Sequence, residues 1–431
     1  MKKITELIGR QIIDSRGNPT VEADIFFEDG SFGRASVPSG ASKGKHEAFE
    51  LRDGEEHFNG LGIRNALQNI NVEIRNAIVG SSFENQSTFD KSLINLDGTT
   101  NKSRLGANST LALSMAWARA DCNSKKSYLF QNIADNIISD LRPNTLPVPL
   151  MNIINGGKHA NNNLDIQEFM IVPVGANSIV EAIKMGCEIF NTLKSKLEKG
   201  GMSSSVGDEG GFTPNLQSNE EALSILTDAI ESARYIPGED IMFAIDCASS
   251  EYFDGSSYNL SGEGMVLSKE EHVEYLSKLV EKYPIVSIED GMSEDDWLGW
   301  SMLTETLGKQ VQLVGDDLFV TNINRIKRGV SSNCANSVLI KPNQIGTISE
   351  TIDSILLSHK HGYACVMSHR SGETEDSFIA DLCVATGCMQ IKTGSLSRSE
   401  RLSKYNQLIR IEEVLAGRSN FLKSAAFRHL L

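Results

Sequence analysis

IVSIEDGMSEDDWLGWSMLTETLGKQVQLVGDD, residues 285–317, holds two short apolar runs, IVSI and VQLVG, separated by a segment of helical length. Each run ends in a pair of acids, Glu289-Asp290 and Asp316-Asp317. A strand, a helix and a second strand in that order predict a βαβ unit whose parallel strands are buried on both faces. The same pattern recurs on either side. IMFAI ends in Asp246, SVLI in Lys341 and CMQI in Lys392, and YACVM leads into His369-Arg370. Six such runs, with two further strands suggested by TLPVPLMNII (145–154) and IQEFMIVPV (166–174), approach the eight strands of a closed barrel. An open doubly wound sheet is the alternative architecture.

The text before this region is different. ITELIGRQII, TVEADIFF and SFGRASV are β-rich and are broken by turn residues at Gly17-Asn18-Pro19 and Asp29-Gly30, which predicts an antiparallel meander. From Leu61 the pattern turns helical, so residues 1–140 read as an α+β domain. The proline-rich RPNTLPVPL sets the boundary, leaving 141–431 to the α/β domain.

Acidic residues outnumber basic ones by 56 to 41, a formal charge of −15, which argues against an electrostatic nucleic-acid binder. An anionic substrate would need a local cluster of Lys, Arg or metal ions. The seven cysteines are scattered without metal-site or redox spacing and read as reduced thiols. With no signal-like or membrane-spanning run, a cytoplasmic protein is expected.

In a barrel the carboxyl ends of the strands converge on one face, where active sites are built. Asp246, Glu289 and Asp316 would meet Lys341, His369, Arg370 and Lys392 there. Three carboxylates from consecutive strands suit a hard divalent cation such as Mg²⁺. Beside that positive charge and partly desolvated, Lys341 would shift toward its neutral, proton-accepting form; a structural ion pair with one of the acids is the alternative role. A base, a metal and nearby cations fit removal of a weakly acidic proton next to a carboxylate.

Three glycine-rich segments stand near this chemistry. GDEGGF (207–212) carries Glu209 as a candidate general acid, with an ordinary acidic turn as the other reading. NGGKHANNN (155–163) carries His159, which also reads as a surface histidine. SGASKGKH (39–46) resembles a P-loop but has only three residues between Gly40 and Gly44, and His46 where Ser or Thr is required. It reads as a mobile lid over the barrel mouth or as a plain exposed turn.

From end to end, over roughly residues 4–415, the chain resembles the enolases. DSRGNPTVE, SGAS, NKSRLGAN, MNIINGGKHA, DIQEFMI, GDEGGF, SIEDG, VGDDLFVTN, LIKPNQIGT, SHRSGETED, IKTGS and YNQLIRIEE carry the resemblance. It implies an N-terminal capping domain on an eight-stranded barrel whose first strands run partly antiparallel. It further implies reversible Mg²⁺-dependent dehydration of 2-phosphoglycerate to phosphoenolpyruvate, as in glycolysis and gluconeogenesis. By the matching motifs, Asp246, Glu289 and Asp316 would bind one Mg²⁺, and Ser42 a second when the lid closes. Lys341 would be the base at C2 and Glu209 the acid at the C3 hydroxyl, with Glu168 and His159 beside them. His159, Gln167, Glu168, His369, Arg370, Ser371 and Lys392 would contact substrate, Arg370 and Ser371 at the phosphate and Lys392 at the carboxylate.

The resemblance also implies a homodimer or higher homo-oligomer, with Glu22 and Arg410 paired across the interface, and neither nucleic-acid nor membrane partners. A surface or secreted fraction needs no signal peptide in such proteins. The sequence departs from the pattern at Lys43, Lys45 and His46 in the lid, and at Ser109, Thr110 and Ser249. A paralogue acting on a related phosphorylated or phosphono hydroxy acid, or an added binding role, are the competing readings.

Overall fold

The computed structural model describes every residue except 42–43, 55–56, 138–142 and 431. The expected second-metal ligand Ser42 and the expected boundary between residues 140 and 141 therefore lie outside the described residues.

Strands β1 (Lys2–Ile13), β2 (Pro19–Phe27) and β3 (Phe32–Ser36) form the expected meander, and β4 (Ser82–Phe83) adds to the free edge of β1. Helix α1 (Gln86–Asp97) starts at a capping box in which the Asn85 side chain accepts from Thr88 N–H and Thr88 answers the Asn85 backbone. Helix α2 (Ala107–Lys125) is buried on nearly every face over its first twelve residues, as a helix must be when it has neighbours on all sides. It packs on β2 and β3. Two of the unusual residues noted above are satisfied there: Ser109 Oγ donates to the Ala66 carbonyl at 3.2 Å, and Thr110 Oγ1 to the Gly346 carbonyl at 2.8 Å. The second bond ties the cap to the barrel loop that follows Lys341.

The barrel closes from β5 (Val148–Asn155), β6 (Glu168–Val172), β7 (Met242–Asp246), β8 (Ile285–Glu289), β9 (Gln312–Gly315), β10 (Ser337–Ile340), β11 (Ala364–Ser368) and β12 (Gln390–Lys392). The open-sheet alternative is excluded. Strand β6 runs antiparallel to both neighbours, with Glu168 opposite Asp246, and the other pairings are parallel. An all-parallel reading of the alternating runs is therefore corrected in one strand. β5 and β6 are joined without an intervening crossover helix, which an antiparallel pair does not need.

Helices cover the outside, among them α3 (Lys269–Lys282) and α4 (Ser399–Leu415). α3 opens at a Ser268/Glu271 capping box and turns His272, Val273, Leu276 and Leu279 inward. Inside the barrel Val148, Met170, Val286, Val314, Leu339 and Val366 form a separate core with Phe427 from the C-terminal segment. Below the charged mouth, Gln312 and Gln390 exchange amide hydrogen bonds at 2.7 and 2.8 Å, and Gln312 also donates to Ser287 Oγ at 3.0 Å.

Candidate active site

Asp246 and Glu289 end their strands side by side in register, Asp316 and Lys341 stand one residue beyond theirs, and Lys392 ends β12 opposite Ser368. Because β6 is reversed, its first residue, Glu168, arrives at the same face as the last residues of the others. Every predicted catalytic and substrate-contacting residue lines one cavity at this end, and Glu289 reaches it through Lys392.

Two ammonium groups are held among the acids. Lys392 Nζ lies 2.9 Å from Asp246 Oδ2, 2.9 Å from Glu289 Oε1 and 3.2 Å from Glu168 Oε1. Burial opposes its charge, but these carboxylates outweigh burial and raise its pKa. Lys341 Nζ lies 2.5 Å from Asp316 Oδ2. Burial again opposes the ammonium and Asp316 prevails, so Lys341 is raised rather than lowered. This contact is the ion pair of the alternative reading, with Asp316 the nearest opposite charge. Asp316 Oδ1 accepts from Gln344 Nε2 at 2.8 Å. Asp290 takes no part in these pairs; its oxygens receive the backbone N–H groups of Asp316 and Asp317 at 2.8 and 2.9 Å and hold that loop.

A second cluster faces the same cavity. His159 Nδ1 is 3.5 Å from Glu168 Oε1 and from Glu209 Oε2, and Asn152 Nδ2 donates to Glu209 Oε2 at 3.0 Å. The His159 side chain is only 6% exposed, which removes the surface-histidine reading. Burial and the neighbouring Glu209 push Glu168 well up. Burial acts the same way on Glu209, but His159 and His369 override it and hold Glu209 well down. The two carboxyls titrate as a pair, with Glu168 pushed toward its protonated form and Glu209 toward its charged form. The glycines of GDEGGF are required by contact: Gly210 has φ +85, and a Cβ there would meet Ser397 O at 2.7 Å.

The described residues on either side of 42–43 contact the barrel mouth. Ala41 N–H donates to Ser371 Oγ at 2.6 Å, and Glu47 grips Arg370 with Oε2 and Oε1 at 2.9 and 3.1 Å. Lys45 Nζ and His46 Nε2 lie 3.4 and 3.2 Å from Asp295. Lys43 is outside the described residues. Glu22 pairs within the chain, with Arg10 at 2.7 Å, while Arg410 donates to Gln407 at 3.3 Å.

Family models for two enolase domains match this chain, the N-terminal domain over residues 4–133 and the C-terminal TIM barrel domain over 143–429. The chain belongs to the enolase family. Enolase-family barrels generally use Mg²⁺, and the donor set fits a hard cation in kind: Asp246 and Asp316 are buried carboxylates lining the cavity, and the buried Glu289 joins Asp246 on the Lys392 ammonium. Burial and the adjacent Asp246 push Glu289 well above the usual carboxylate range, a cost that a bound cation would relieve. The spacing is less ready than the chemistry. Among the described residues, the ligating groups that fall within 4.8 Å of one another are Asp290, Asp316 and Asp317, and separately His159, Glu168 and Glu209. Asp246 and Glu289 share an ammonium and Asp316 has its own, which keeps the expected trio out of that range. No helix among the described residues is long and apolar enough to cross a membrane.

Sequence reasoning missed Asn152, Glu47 and Gln344, which orient Glu209, Arg370 and Asp316, and also Arg401, which is fully buried behind His369. No spacing signal distinguishes Arg401, because an arginine in the first turn of an amphipathic helix normally faces water.

Proposed function

We propose that this enolase-family chain catalyses the reversible dehydration of 2-phosphoglycerate to phosphoenolpyruvate. The observation that carries this reading is the meeting, in one cavity, of a lysine beyond β10 with a proton-sharing Glu168–Glu209 pair and a buried guanidinium. Dehydration across a carbon–carbon bond needs a base for one carbon and an acid for the other.

In this reading Lys341 takes the proton from C2. To do so it must leave Asp316, since an ammonium in contact with a carboxylate holds its proton. The Glu168–Glu209 pair carries one proton between its members and delivers it to the departing C3 hydroxyl, with Glu209 nearest the reacting group and His159 bridging the two. Arg370 and Ser371 receive the phosphate, and Lys392 the carboxylate. Mg²⁺ held by Asp246, Glu289 and Asp316, with Ser42 serving a second ion, would offset the charge that grows on the substrate carboxylate during proton removal. Ala41 on Ser371 and Glu47 on Arg370 keep the described residues on either side of 42–43 beside the phosphate-binding groups.

The test is the appearance of the enol phosphate chromophore from 2-phosphoglycerate, with Mg²⁺, with EDTA and in Lys341→Ala. The reading requires a signal that depends on both Mg²⁺ and Lys341. A folded, Mg²⁺-loaded protein that is inactive on 2-phosphoglycerate but active on a phosphonate analogue would transfer the chemistry to the related hydroxy-acid substrate.

A further inference from the structure

Arg401, in the first turn of α4, has no exposed surface. A guanidinium so placed must spend its donors on something, and its targets are specific. Nη2 donates to the carbonyls of Asp208 and Ser371 at 3.0 and 2.6 Å, and Nη1 to the Arg370 carbonyl at 2.5 Å. Nη1 also lies 2.6 Å from His369 Nδ1. One side chain therefore joins the GDEGGF loop to the loop that follows β11.

The contact with His369 fixes the state of the imidazole. A guanidinium carries only donors and does not lose its proton. At 2.6 Å the Nδ1 atom must accept, so it bears no hydrogen, and neither the Nδ1–H tautomer nor the doubly protonated ring is compatible with the contact. The ring proton is left on Nε2, which lies 3.5 Å from Glu209 Oε1. The backbone on both sides is held as well. Ser395 N–H donates to the Glu209 carbonyl at 2.9 Å, and the Tyr405 hydroxyl to Gly394 at 2.8 Å. A Cβ at Gly394 would meet Arg401 Cδ and the Glu209 carbonyl, each at 2.8 Å, so only glycine lets these parts approach.

We propose that Arg401 is a positioning residue for the reaction, holding His369 as the neutral Nε2–H tautomer so that an unspent N–H donor faces the cavity beside the Glu209 carboxylate. This rests on the dehydration reading only for its kinetic part. Arg401 does not itself line the cavity; it stands behind His369, Arg370 and Ser371, which do. Its effect on chemistry passes through His369 and through the Asp208 carbonyl next to Glu209.

Nitrogen-15 NMR of histidine-labelled protein, assigned with His369→Gln, reads the tautomer directly and without substrate or metal. The expected spectrum has a hydrogen-free Nδ1 and a protonated Nε2 at His369 through the neutral pH range. Arg401→Lys keeps the charge and loses the fork; it should mix the tautomers and lower kcat by between about 10- and 100-fold, with KM changed less than about threefold. An Nδ1–H or imidazolium form of His369 in the unsubstituted protein overturns the proposal even if no Arg401 variant folds. So does an Arg401→Lys protein with kcat within about twofold of the parent. Were the parent inactive on 2-phosphoglycerate, the substrate reading would fail while the tautomer measurement still decided this one.

Discussion

The two ends of the barrel interior handle buried polar groups in opposite ways. Toward the floor, Gln312, Gln390 and Ser287 are neutral and satisfy one another within an apolar lining. At the mouth, acids and bases crowd together, and buried polar atoms of Asn155, Gln167, Glu168, His159 and His369 have no hydrogen-bond partner among the described residues. Native proteins rarely leave such groups unsatisfied, and where they do the site has a use for them. The floor is built for stability and the mouth for a ligand that completes it.

The largest expected effect of breaking this contrast is at the mouth. Glu209→Gln keeps the shape and removes one of the crowded charges; kcat should fall by about 10²- to 10⁴-fold. Because His159 and His369 favour the charged form of Glu209, losing that charge should leave the melting temperature unchanged or lower it, as calorimetry can check.

At the floor the balance reverses. Gln312→Leu leaves the Gln390 amide only the Ala426 carbonyl, at 3.2 Å, and should cost about 1–3 kcal/mol in denaturant unfolding, with activity per folded molecule unchanged. Replacing both glutamines by leucine should recover part of that loss, since no donor then remains unpaired.

The barrel wall offers an intermediate case. His272 on α3 donates from Nε2 to the Gly291 carbonyl at 3.1 Å and stacks on Tyr258 at 4.5 Å between centroids. Burial lowers its pKa from 6.5 to about 4. The unfolded chain therefore binds a proton below pH 6.5 that the folded chain refuses until about pH 4, and stability falls as pH drops through that window. The shift corresponds to about 3 kcal/mol at the acid end. His272→Phe should flatten this part of the stability profile.

Much of this contrast can be read from the chain. The apolar runs and their charged ends place Asp246, Glu289, Asp316, Lys341, His369, Arg370 and Lys392 at one face, because strand ends in a barrel converge whatever the loops do. The same rule fails for Gln167 and Glu168. They precede the run EFMIV, and only the reversal of β6 carries them to the mouth. Nothing local in a strand encodes its direction, so these two residues came from the family resemblance alone. Pairings within the site were also hidden: whether Lys341 meets Asp316 or a substrate is decided by distance, and Arg401 reads as a solvated helix residue until its burial is seen.

The smallest effect is expected at the lid. Asp295 receives Lys45 and His46 but is itself 47% exposed, so Asp295→Asn should change stability by about 0–1 kcal/mol. A change in KM without one in kcat would show that this contact acts on lid docking alone.

In the proposed dehydration Lys341 serves C2 and the Glu168–Glu209 pair serves C3. Washout of the C2 proton of 2-phosphoglycerate in deuterium oxide, followed by proton NMR with Mg²⁺ present, tests it most directly. The account predicts washout in the parent and in Glu209→Gln, which can still remove the proton but not expel the hydroxide, and none in Lys341→Ala. Washout that survives in Lys341→Ala, or that disappears in a folded Glu209→Gln, would contradict it.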